Sequence, residues 1–217
     1  MRIKTLLCAA GIAALAIPAM AQTPPVYSLN VVGYVQQPFV GGAYAMVANQ
    51  LDKDGTGTNN TILSVFSTNM PAGTILYKWN GGWVPYTYNK GLWGPNSSAS
   101  INPGEGVLVK CGGAVPMTNT IVGTVLQGTI VNPYISPLAG YNGLSATFPI
   151  SGQLQSNTNI NYVPKAGDIV YKWSGGWVPY TFNKGLWGPS QPTVNVGEGF
   201  LLKTSAGQQW TNSFTAQ

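Results

Sequence analysis

Residues 77–95 read YKWNGGWVPYTYNKGLWGP, and residues 171–189 read YKWSGGWVPYTFNKGLWGP. Seventeen of nineteen positions are identical, Asn80 against Ser174 and Tyr88 against Phe182 being the exceptions, and the blocks lie 94 residues apart. A repeat at that spacing means two copies of one unit of domain size. Within each block, β-rich runs flank Asn80-Gly81-Gly82 or Ser174-Gly175-Gly176. This predicts a hairpin, because Asn and Gly tolerate the positive φ of a type I′ turn. Strand alternation sends Ile75, Tyr77 and Trp79 to one face and Leu76 and Lys78 to the other. Pro85 and Pro179 have no N–H to give to a ladder, so the second strand is expected at an edge, or broken there. Asn89 to Pro95 reads as a polar loop.

Outward from the block, short β-rich runs recur between turn signals: Val26 to Val35, Ala43 to Leu51, Val107 to Cys111 and Ile121 to Leu126 in the first copy. Thr129 to Ile135, Tyr141 to Phe148, Phe200 to Thr204 and Gln209 to Phe214 do the same in the second. No helix alternates with strands, so the prediction is all-β: two homologous antiparallel repeats, sandwich-like or barrel-like, with at most a short helical turn in each. The helical signal is Asn59-Asn60-Thr61 ahead of Ile62, Leu63, Val65 and Phe66. The expected boundaries are 22–127 for the first repeat and 128–217 for the second.

Residues 1–21 read as a cleaved signal peptide. Arg2 and Lys4 form a basic start, Leu6 to Ile17 an apolar run, and Ala19-Met20-Ala21 a small-x-small cleavage site. The run falls short of the ~20 residues that span hydrocarbon. The mature chain is therefore expected to be secreted, extracellular or at the cell surface, the periplasm included, with no membrane span. Without Arg2 and Lys4 it carries eight basic and five acidic side chains. That thin charge, with no Lys/Arg cluster, argues against nucleic acid as a partner. Cys8 leaves with the signal, so Cys111 has no intramolecular partner and reads as a small core residue.

The opening Val26-Tyr27-Ser28-Leu29-Asn30-Val31-Val32-Gly33-Tyr34-Val35 resembles the start of a family of uncharacterised exported bacterial proteins. These proteins carry a Tyr-Lys-Trp-Asn-Gly hairpin and a Pro-Gly-Glu/Gln-Gly-Phe strand entry, often duplicated. Here the matching segments are Tyr77 to Gly81, Pro103 to Gly106 and Val196 to Phe200. The resemblance spans the mature chain and implies an exported all-β fold, with no established activity and no catalytic residues. More distantly, the pattern is similar to β modules appended to large secreted proteins.

The chemistry-bearing residues are few. There is no histidine, and the carboxylates are Asp52, Asp54, Glu105, Asp168 and Glu198. Glu105 and Glu198 occupy equivalent positions, which suits one structural task performed twice, as turn carboxylates accepting backbone N–H bonds, better than the flanking carboxylate pair a glycosidase needs. No Gly-x-Ser-x-Gly elbow is present. The chain is read as non-enzymatic and free of cofactors. Asp52 and Asp54, in a glycine-rich loop, form a weak calcium candidate with too few carboxylates and no counterpart in the second copy.

Aromatic rings with a polar edge are the sharper signal, because they stack on sugar faces and hydrogen-bond beside them. The candidate binding residues are Trp83, Tyr86, Asn89 and Trp93, with Trp177, Tyr180, Asn183 and Trp187 in the second copy. Lys78 and Lys172 are candidates to reach hydroxyls. Trp79 and Trp173 are assigned mainly to the core, and Trp83, Trp93, Trp177 and Trp187 to two equivalent exposed platforms. The expected partner is a polysaccharide or extracellular-matrix polymer. The alternative is a structural or self-assembling surface protein whose hairpins are subunit contacts, since aromatics are enriched in both kinds of interface.

Overall fold

The computed structural model describes residues 31–66, 68–136 and 138–216. The expected signal segment and residues 26–30 of the expected opening strand lie outside them. The first copy comprises β1 (Val32–Phe39), β2 (Tyr44–Ala48), α1 (Ile62–Phe66), β3 (Ile75–Trp79), β4 (Trp83–Asn89), β5 (Leu92–Gly94), β6 (Gly106–Lys110) and β7 (Met117–Thr124). The second comprises β8 (Gly128–Val131), β9 (Gly140–Leu144), β10 (Gly152–Gln153), β11 (Ile169–Trp173), β12 (Trp177–Asn183), β13 (Leu186–Gly188), β14 (Thr193–Val194), β15 (Phe200–Thr204) and β16 (Thr211–Phe214).

Each copy builds the same antiparallel five-stranded sheet, β2-β6-β3-β4-β5 in the first and β9-β15-β11-β12-β13 in the second. A two-stranded ribbon accompanies each sheet, β1 with β7 and β8 with β16, and among the described residues no sheet closes into a barrel. Between ribbon and sheet of the first copy lies an apolar core. Val35, Phe39 and Ile121 come from the ribbon, Leu76, Val107 and Val109 from the sheet, and Ile62, Val65 and Phe66 from α1. The second copy has its own core around Leu144, Val170, Phe200, Leu202, Tyr162 and Trp210. The helix forms where expected. Thr61 Oγ1 accepts the Ser64 N–H and Ser64 Oγ accepts the Thr61 N–H, a reciprocal cap for the first turn. Cys111 is free and buried, and burial pushes its thiol pKa up.

Both repeated hairpins form, with Trp79 opposite Trp83 and Trp173 opposite Trp177. Pro85 sits within β4 opposite Tyr77 and does not break the strand. It is tolerated because β5 pairs only with Thr87 to Asn89, leaving the other side of Pro85 unladdered. The polar loop expected over Asn89 to Pro95 is instead a second tight hairpin. Lys90 (φ 49°) and Gly91 (φ 84°) turn the chain into β5, and Lys184 (φ 49°) and Gly185 (φ 83°) turn it into β13.

The copies meet along a seam whose contacts come in exchanged pairs. The Gly104 carbonyl accepts the Ser145 N–H at 2.9 Å, and the Gly197 carbonyl accepts the Ala48 N–H at 3.0 Å. Buried Asn132 and Gln37 send their side-chain amides to those same two carbonyls. Glycine is required there. A Cβ on Gly106 would meet the Leu144 carbonyl oxygen at 2.4 Å, and one on Gly199 the Val47 oxygen at 2.6 Å. Both contacts are with backbone, which cannot yield as a side chain would.

Candidate functional site

Alternation along β3 directs Leu76 into the core and leaves Tyr77 and Trp79 on the opposite sheet face, where the seam covers them in part. The same rule places Tyr44 on β2 and Trp83 on β4 on that face, with Tyr141, Tyr171, Trp173 and Trp177 in the second copy. Across the seam these eight rings form one continuous row of contacts, which folds back on itself because Tyr77 and Trp79 lie two residues apart on β3 and Tyr171 and Trp173 two residues apart on β11. From Tyr77 it passes to Tyr44 (centroids 6.3 Å apart), Trp173 (5.6 Å), Trp177 (5.1 Å) and Trp83 (6.1 Å). It continues to Trp79 (5.1 Å), Tyr141 (5.7 Å) and Tyr171 (6.2 Å). At the centre Trp83 and Trp177 stack at an interplanar angle of 14°. Each is met edge-on by its own hairpin partner, Trp79 at 81° and Trp173 at 84°. Pairs of this geometry are worth about 0.5–1.5 kcal/mol each beyond area burial. The rings therefore hold the copies together while keeping part of their surface in solvent.

The row is almost free of charge. Lys110 lies over Tyr44 at 5.7 Å and Lys203 over Tyr141 at 5.6 Å, one cation towards each end. Burial, and then the neighbouring Tyr44 hydroxyl, raise the Tyr77 pKa; Tyr171 is raised the same way beside Tyr141. Both phenols thus stay neutral donors. Clefts open along the row. One of about 300 Å³ is lined by Tyr44, Tyr77, Trp83, Leu108, Trp173 and Trp177. Another of about 220 Å³ is lined by Tyr141, Tyr171, Trp177 and Leu201. Beyond them lie two more polar clefts, of about 400 Å³ beside Trp173 and Gly175 and about 450 Å³ beside Trp79 and Gly81.

Several expected site residues fall elsewhere. Trp93 and Trp187 are buried, at 1% and 9% exposure, and not surface platforms. Because β5 and β13 are strands, alternation exposes Leu92 and Leu186 and turns the Trp inward. Trp93 packs against Phe66 and Tyr88, and Trp187 against Tyr162 and Phe182. Tyr86 and Tyr180 are half-buried on the core side of their sheets. Asn89 and Asn183 are exposed at the far ends of β4 and β12, away from the seam. Trp83 and Trp177 are half-buried against each other, so they form one central contact and not two separate platforms. Trp79 and Trp173, expected mainly in the core, belong to the row, as do Tyr44, Tyr77, Tyr141 and Tyr171. The face shared by Tyr77 and Trp79, opposite Leu76, was the sequence signal for them.

Lys78 and Lys172 are not available to a ligand, since they pair with Glu105 at 3.1 Å and Glu198 at 3.0 Å. Each carboxylate thus holds the equivalent lysine, and the expected backbone N–H bond is made by Glu198, from Asn195. Their surroundings differ in one respect. Glu198 Oε2 accepts from Asn195 N and Nδ2, whereas Asn102, in the equivalent place, gives its amide to the Tyr134 hydroxyl. Glu105 Oε2 is left buried without a partner. Burial pushes the Glu105 pKa up, against the pull of Lys78. Asp168 is also buried, yet its pKa is lowered. Burial raises it, and the Lys165 and Ser205 N–H groups, the Tyr162 hydroxyl and the Gln208 amide outweigh that by stabilising the charge.

The calcium candidate spends its oxygens locally. Asp52 accepts from Gly57 N and Asn60 Nδ2, and Asp54 from Thr56 N and Oγ1. Among the described residues, no three His, Cys, Asp or Glu side chains gather where they could hold a metal ion. No helix among them is long and apolar enough to cross a membrane. Comparison with protein-family models, with curated proteins and with solved structures gives no match, so function has to be argued from the geometry of this seam.

Proposed function

We propose that this chain is an exported, non-enzymatic binding protein whose ligand is a neutral polysaccharide or matrix glycan, held on the aromatic row between the two copies. The observation that carries this reading is the row itself: eight half-exposed Trp and Tyr rings, contributed equally by both repeats and bordered by clefts with almost no charge. Rings with N–H or O–H edges offer a sugar both an apolar face and a polar handle. A packed core would consume such rings completely, and a nucleic-acid surface would surround them with Lys and Arg. The self-assembly reading is weakened because the hairpins already contact each other within one chain.

Retention of the mature chain on insoluble neutral polysaccharides, and on a glycan array, tests this. Retention should persist from low to high salt, because so few charges take part. Failure to bind any glycan, with large species formed in the absence of sugar, would favour assembly instead.

A further inference from the structure

We infer, resting on the glycan reading above, that the seam carries two collared niches divided by the Trp83–Trp177 stack, and that each takes the terminal sugars of a neutral glycan, so that one molecule holds two chain ends. The folding-back of the row carries this. Tyr77, Tyr44, Trp173, Trp177, Trp83 and Trp79 follow one another in contact, and Trp79 returns to Tyr77 along β3, so the path closes. Tyr171, Tyr141, Trp79, Trp83, Trp177 and Trp173 close in the same way through β11. The two circuits have the four tryptophans in common. Each circuit is thus a collar of rings drawn from both copies, and the tryptophans are the wall between the two.

The two apolar clefts lie within these collars. Tyr44, Tyr77, Trp83, Trp173 and Trp177 of the first circuit line the cleft of about 300 Å³, together with Leu108. Tyr141, Tyr171 and Trp177 of the second line the cleft of about 220 Å³, together with Leu201. The sheets place these groups alike. Leu108 opposes Tyr77 and Leu201 opposes Tyr171, while Tyr44 and Tyr141 each oppose a lysine, Lys110 or Lys203, that lies over the ring.

A collar selects the end of a polymer over its middle. A chain bound along its length must leave the site in both directions. In the first niche the Tyr44–Trp173 contact closes one side and the tryptophan stack the other. A chain end meets no such obstacle. It sets the apolar face of its last sugars against the rings, and its free hydroxyls reach the neutral phenols of Tyr44 and Tyr77, or of Tyr141 and Tyr171. A quaternary ammonium group, the other common occupant of an aromatic collar, is disfavoured because a lysine ammonium already lies over one tyrosine of each niche. With the wall between them, the niches hold two ends at once, which gives the molecule avidity for a surface rich in chain ends.

The test is calorimetric titration of the whole mature chain with β-1,4-linked gluco- and manno-oligosaccharides of two to eight sugars, together with Tyr44→Ala and Tyr141→Ala variants checked for folding by circular dichroism. The expected result is two oligosaccharides per chain, with affinity that stops rising at about three sugars, since clefts of this size hold only a short ligand. Each tyrosine variant should keep one site per chain, its affinity within about two-fold of the original, because the other niche lacks the altered ring. Stoichiometry and length dependence of the unaltered chain decide the inference even where a variant fails to fold. One oligosaccharide per chain, or affinity still climbing at eight sugars, would overturn the niches and leave the glycan reading intact. So would retention on insoluble β-glucan or β-mannan without binding of any oligosaccharide, or loss of both sites in one tyrosine variant. Absence of binding to every oligosaccharide and to both insoluble polymers would overturn the niches and the glycan reading together.

Discussion

The repeat supplies an internal control on what a buried indole contributes. Trp93 and Trp187 hold equivalent positions and both are buried, but their N–H groups differ. Trp187 Nε1 donates to Gln155 Oε1 at 3.0 Å, whereas Trp93 Nε1 is buried without an acceptor. Replacing either Trp by Phe keeps a ring against Tyr88 or Phe182 and removes the smaller part of the indole, at about 1–2 kcal/mol in lost burial and residual cavity. At position 93 the substitution also removes an unsatisfied buried donor, which offsets about 1–3 kcal/mol. At position 187 it instead breaks a hydrogen bond, at about 0.5–1.5 kcal/mol. Trp93→Phe should therefore be near neutral and Trp187→Phe destabilising by roughly 2–3 kcal/mol. For a chain of this size that separates the melting temperatures by roughly 4–12 °C. Thermal and urea unfolding of the two variants measure it. Equal losses, or a larger loss at Trp93, would refute the assignment of an unpaired indole donor.

The seam ion pairs and the buried aspartate give two further expectations. Lys78→Met strands the Glu105 carboxylate in the seam and should cost about 3–5 kcal/mol, most of it restored in the Lys78→Met/Glu105→Gln double variant. Because the folded pKa of Glu105 already lies above its ordinary 4.5, the single variant's deficit should grow as pH rises through that folded value and shrink in acid, which urea unfolding across pH will show. Asp168 has the opposite sign. Its folded pKa is lowered, so its contribution is complete above the ordinary 3.8 and is lost as pH falls through the folded value. Asp168→Asn should then cost about 3 kcal/mol at neutral pH and little in strong acid, since five donors converge on a charge that the amide lacks.

The architecture was legible in the sequence because two periodicities carried it. The 94-residue repeat announced the copies, and Asn-Gly or Ser-Gly between β-rich runs announced the hairpins. The Asn59-Asn60-Thr61 signal preceded the short helix that begins at Ile62. What escaped was β5, where Asn89-Lys90-Gly91 looks like a polar loop. The tight turn there depends on a non-glycine residue, Lys90, at positive φ, which composition does not advertise. Missing that strand placed Trp93 and Trp187 on the surface, since a loop has no alternation to turn them inward. The row escaped for a different reason. Tyr44, Tyr77 and Trp79 occupy one face of a sheet, but whether that face meets solvent or the other repeat is a tertiary fact, fixed by the close backbone approaches at Gly106 and Gly199. Duplication alone suggested two sites. The exchange of backbone bonds across the seam merges them into one surface.

Stoichiometry and coupling at the Trp83–Trp177 stack test that merger most directly. Titration of a bound β-linked oligosaccharide into Trp83→Ala, Trp177→Ala and the double variant is the measurement. The account predicts that the double variant loses less than the sum of the single losses, because Trp83 and Trp177 stack on each other and either truncation alone already disrupts the shared contact. Half the sites lost in each single variant, with unchanged affinity at those that remain, would contradict it.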